Sequence, residues 1–188
     1  MPAKWPDTQL RQEIRDFNRE FLALVSAAPS PGTAYGLAPA VRHRLAGLGP
    51  GALAAIADTP CLLMAVLPAA PRPAAGVADG PGLLTAPVEP ARLFAAALLT
   101  WLWHTARQDR LLAALCMGPG RQAADQLATA ALGDLQRAAA RAEFSLEARF
   151  CRHPRFWPDL VRAASRADAQ VLTATPLSAV QLTLIARR

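Results

Sequence analysis

The side chains best suited to metal or nucleophile chemistry in this 188-residue chain are three cysteines and three histidines. Cys151-x-His153 is their one close pair, and only Cys116 or His104 stands ready to extend it. Structural zinc is usually held by four ligands in paired local spacings. The spacing therefore reads as a thiol beside a surface histidine, with no metal and no other cofactor. No nucleophile elbow, phosphate loop or paired-carboxylate pattern accompanies His43, His104 or His153, so enzymatic activity is not expected.

Arginine is the next candidate. Arg137 and Arg141 lie four apart, and Arg149, Arg152, Arg155, Arg162 and Arg166 follow, with Phe156-Trp157 among them. Aligned guanidinium groups attract phosphate or carboxylate and bind either bidentately. Arg137, Arg141, Arg152 and Arg155 are thus the candidate contacts to DNA or to an acidic partner. The competing reading is a solvated face balanced by Glu143, Glu147, Asp159 and Asp168, with Phe156 and Trp157 in the core. The net charge of +6 permits polyanion binding without demanding it, and Lys4 is the only lysine, a compositional bias that weakens arginine as a signal.

Trp101 and Trp103 are two apart on an expected helix and so point to nearly opposite sides. One of them should face another unit or another chain. With Leu98, Phe17 and Phe21 they form the candidate assembly set, serving either two units of one chain or a homo-oligomer.

The elements that must position these residues follow from periodicity. Apolar residues at helical spacing predict helices over 7–26 and 37–48, the second with Arg42, His43 and Arg44 outward. Gly49-Pro50-Gly51 opens a short helix through Asp58. Cys61–Leu67 is apolar throughout and suits a buried strand or a helical turn. Residues 68–88 are rich in Pro and Gly and read as a linker. A long helix is predicted from Pro90 to Cys116, then helices over 121–131 and 133–142. Phe144–Phe150 alternates as a half-buried strand does. Helices near 158–167 and 176–186 complete the chain. Whether 61–67 and 144–150 pair is left open. The longest largely apolar run, Leu93–Trp103, is about half a membrane span. With no secretory leader and no C-x-x-C, a cytoplasmic protein with reduced thiols and no membrane association is expected.

Underneath lies a repeat. Without a gap, an offset of 82 pairs Leu45 with Leu127, Gly51 with Gly133, Leu53 with Leu135, Ala57 with Ala139 and Leu62 with Phe144. Phe21–Val25 also matches Leu111–Leu115 in character. This divides the chain into a first unit core (1–67), the linker (68–88), and a long connecting helix with the second unit (89–188).

Three stretches in order, Ile14–Leu24, Gly36-Leu37-x-x-x-Val41-x-x-x-Leu45-x-x-Leu48 and Leu53-x-x-Ile56-Ala57-Asp58-Thr59-x-x-Leu62, resemble the FlhD family, a subunit of the bacterial flagellar master transcriptional regulator. The resemblance covers about residues 10–67 and returns more faintly over 108–150. It implies a mainly α fold of two tandem FlhD-like helical units forming a pseudo-dimer, with short β segments near 61–67 and 144–150. It also implies a transcriptional regulatory subunit that scaffolds an FlhC-like partner on promoter DNA. Ala54 and Ala55, at the outer positions of the first short helix, bond neither phosphate nor base edges, which weakens DNA reading by that copy. The alternative is a helical adaptor or antagonist that binds a regulatory protein without contacting DNA.

Overall fold

Leu10, Ile14, Phe17, Phe21 and Val25 recur at three- and four-residue intervals, and they build one apolar face of helix α1 (Thr8–Ala27). The computed structural model describes residues 8–27, 35–68, 90–117, 121–140, 144–168, 170–172 and 174. After α1 come α2 (Pro39–Ala46), α3 (Pro50–Ala57) and strand β1 (Met64–Pro68). Both short helices begin with proline, whose fixed φ and missing N–H suit a first turn. Then follow α4 (Pro90–Gln108), α5 (Arg110–Met117), α6 (Arg121–Thr129), α7 (Leu132–Ala140), β2 (Phe144–Ala148) and α8 (Phe156–Ser165). The described protein is mainly helical, with β1 and β2 forming a small two-stranded sheet. None of the described helices is long and apolar enough to cross a membrane. Arg141, the segment 69–89 and the helix expected over 176–186 lie outside the described residues.

The helix expected from Pro90 to Cys116 is two helices. At the break, the Asp109 N–H donates to the Thr105 carbonyl (2.8 Å), while its carboxylate accepts from the Leu112 N–H (2.9 Å). One residue thus closes α4 and caps α5, a competition with helix continuation that short acidic side chains favour.

The duplication is visible in the packing. α1 packs on α2 and α3, and α4 packs on α6 and α7. A shift of 82 carries Thr8 to Pro90, Pro39 to Arg121 and Pro50 to Leu132, the first residues of the corresponding helices. The counterpart of α1 is therefore α4, whereas the Phe21–Val25 match to Leu111–Leu115 would have made it α5. Leu/Ala-rich helical segments resemble one another in several registers. Packing decides the register, and α5 belongs to the connection between α4 and α6.

β1 and β2 pair antiparallel, with Met64 opposite Ala148, Ala65 opposite Glu147 and Val66 opposite Leu146. The two units close on each other through this ladder and through the contact of α1 with α4. A single hydrophobic core runs through both, including Ile14, Phe21, Leu45 and Ile56 from the first unit and Phe94, Leu98 and Leu127 from the second. α8 crosses over to lie on α2 and α3, burying Phe156, Trp157, Leu160 and Val161.

Candidate interaction surfaces

The assembly residues meet inside the chain. Phe21 and Leu98 are fully buried. The Phe17 ring on α1 lies 6.0 Å from that of Phe94 and 5.3 Å from that of Trp101, both on α4. Trp101 also donates its indole N–H to Glu13 on α1 (2.7 Å). Trp103 points the other way, as residues two apart on a helix must. Its indole N–H donates to the Ala130 carbonyl between α6 and α7 (3.0 Å), and the Arg107 guanidinium lies 4.9 Å from its ring centre. Trp101 thus joins the two units, and Trp103 fastens α4 to its own unit.

A residue with no role assigned from its spacing organises the first unit. Asn18 is fully buried on α1. Its side-chain amide donates to the carbonyls of Cys61 (2.9 Å) and Ala57 (3.1 Å), and its carbonyl accepts from the Leu63 N–H (2.8 Å). It fixes the path from the end of α3 into β1. A polar residue on an otherwise apolar helix face was the available signal. The position 82 further on is Thr100, whose hydroxyl only bonds back to Ala96 within α4.

The arginines do not form one stripe. Arg137 on α7 is ion-paired with Asp134 one turn away. Arg162 on α8 pairs with Asp159 at 3.0 Å. Arg149 is buried, its guanidinium 4.9 Å from the Phe150 ring centre and its carbonyl accepting from the Trp157 indole at 2.8 Å. Arg42, expected outward on α2, is buried as well. Phe156 and Trp157 belong to the core and present no ring to a ligand. Arg152 and Arg155 are exposed in the turn before α8, and Arg44 on α2 and Arg166 just after α8 are exposed too. Among the described residues these four have no ion-pair partner. α7 packs on α4 and α8 on α2 and α3, so Arg137 stands on a different part of the molecule from Arg152 and Arg155.

The thiols sit in structural settings. Burial pushes the Cys61 thiol up to about 11, with the Arg149 charge acting weakly the other way. Cys151 donates to the Glu147 carboxylate at 3.2 Å. Its pKa is raised first by burial and then by that bond and the Glu147 charge, against the smaller pull of Arg152. A thiol kept protonated is a poor nucleophile and a poor metal ligand. His153 turns its Nδ1 to the Phe156 N–H (3.1 Å) and so caps the start of α8. The His104 ring bonds with Gln108 (2.8 Å). The Cys116 side chain lies outside the described residues. Among the described residues no group of three or more His, Cys, Asp or Glu side chains is placed to hold a metal ion.

Comparison with protein-family models, with curated proteins and with solved structures finds no match.

Proposed function

We propose that the chain is an FlhD-like transcriptional regulatory subunit, a non-enzymatic scaffold that carries an FlhC-like partner on promoter DNA. The observation that supports this reading best is the closure of two copies of one helix–helix–helix–strand unit through a shared ladder and a shared helix contact. A duplicated unit closed in this way builds within one chain the kind of assembly that the resembling family builds from two. Its helix-rich surface suits protein recognition.

A second reading, an adaptor or antagonist that binds a regulatory protein without touching DNA, is favoured by the arginines themselves. Arg137 is engaged with Asp134, and Ala54 and Ala55 on α3 offer no hydrogen bond to a phosphate. Titration of salt against promoter-DNA binding, with and without an FlhC-like protein, separates the two. The regulatory subunit requires a complex on DNA whose affinity falls steeply with salt and is lowered by Arg152→Ala. Capture of the FlhC-like protein with no gain in DNA binding supports the adaptor. Failure to capture it at all removes both.

A further inference from the structure

We draw no further inference here: the strongest candidate, the surface of α4 and α5 bearing the exposed side chains of Leu93 and Leu111, carries nothing because nothing in the structure shows that the two share one face or what covers them.

Discussion

Ala65 lies opposite Glu147 in the β1–β2 ladder, and the two are 82 positions apart, the interval that also relates Leu45 to Leu127. An antiparallel ladder centred on a pair of equivalent residues maps onto itself by a two-fold rotation. That rotation exchanges the Met64–Ala148 pair with the Leu146–Val66 pair, each residue moving by the same interval. The repeat is therefore a pseudo-two-fold axis written into the sequence, and the axis passes between Ala65 and Glu147. Cross-strand charges test it. Ala65→Lys should leave the protein about 1 kcal/mol more stable than Ala65→Asp, because the lysine meets Glu147 with opposite charge and the aspartate with like charge. Urea denaturation of the two variants gives the difference. Equal stabilities would place the pair out of register.

Asn18 carries a larger share. Replacing it with alanine strands the Leu63 N–H and frees the carbonyls of Ala57 and Cys61 in a buried site. A loss of about 3 kcal/mol is expected, since each buried group left without a partner costs about 1–3 kcal/mol. Thr100→Ala at the equivalent position should cost under about 1 kcal/mol, because its hydroxyl bonds only to its own helix. Chemical denaturation of both single variants checks the contrast.

Most of the elements were legible because their causes are local. Pro39 and Pro50 mark helix starts, and the apolar face of α1 and the gap-free offset show in residue types alone. The elements that misled were those whose environment is set by distant chain. Arg42 sits in the triplet Arg42-His43-Arg44, which reads as exposed, but α1 and α8 both pack on α2, α8 from more than a hundred residues away, and Arg42 is buried. Arg149 likewise belongs to an arginine series by spacing, but to the interior by position. Trp101 and Trp103 could be assigned opposite directions from the helical period, although not their partners Glu13 and Ala130. Charge pairing was legible only in part. Arg137 has Asp134 one turn away, whereas the Arg15–Asp58 and Arg110–Asp125 pairs join residues that only the fold brings together.

Two glycines of similar appearance should respond in opposite directions. Gly36 has φ +75°, and a Cβ there would stand 3.0 Å from Glu147 Cγ and 3.1 Å from Cys151 Sγ. Tyr35 before it and Phe150 before Cys151 also take positive φ, so this corner has little slack. Gly36→Ala should destabilise by about 1–3 kcal/mol. Gly51, in the first turn of α3, has nothing within 4 Å of the added atom. Gly51→Ala should stabilise by about 0.5–1 kcal/mol through helix propensity and a less disordered unfolded chain. Thermal melts that moved both variants the same way would contradict the assignment.

The link between the units can be measured through Trp101 and Glu13. Trp101→Phe keeps most of the packing against Phe17 and loses the indole N–H. Glu13→Gln keeps an acceptor oxygen but removes the charge. A double-mutant cycle over these two changes should give a coupling of about 1 kcal/mol, as befits a charge-assisted hydrogen bond in a half-buried site. The same cycle between Glu13 and Trp103→Phe should give a value near zero, because Trp103 bonds to Ala130 instead.

Alkaline stability should depend on Cys61. The folded thiol titrates at about 11 against an ordinary value of 9.0, because burial disfavours the thiolate. A raised acid constant in the folded state means that the folded protein holds a proton which the unfolded chain has released. The stabilisation from the buried neutral thiol is therefore complete below pH 9 and declines as pH rises from there to 11. The loss approaches about 3 kcal/mol above that range, with about 1 kcal/mol gone by pH 10. Urea melts at pH 7 and pH 10 should show a smaller pH effect in Cys61→Ala than in the parent chain, even though the variant is less stable at pH 7. Ionisable groups other than Cys61 are common to both proteins and cancel in the comparison. A pH effect of equal size in the two would mean that the Cys61 thiolate is formed in the folded protein as readily as in the unfolded one.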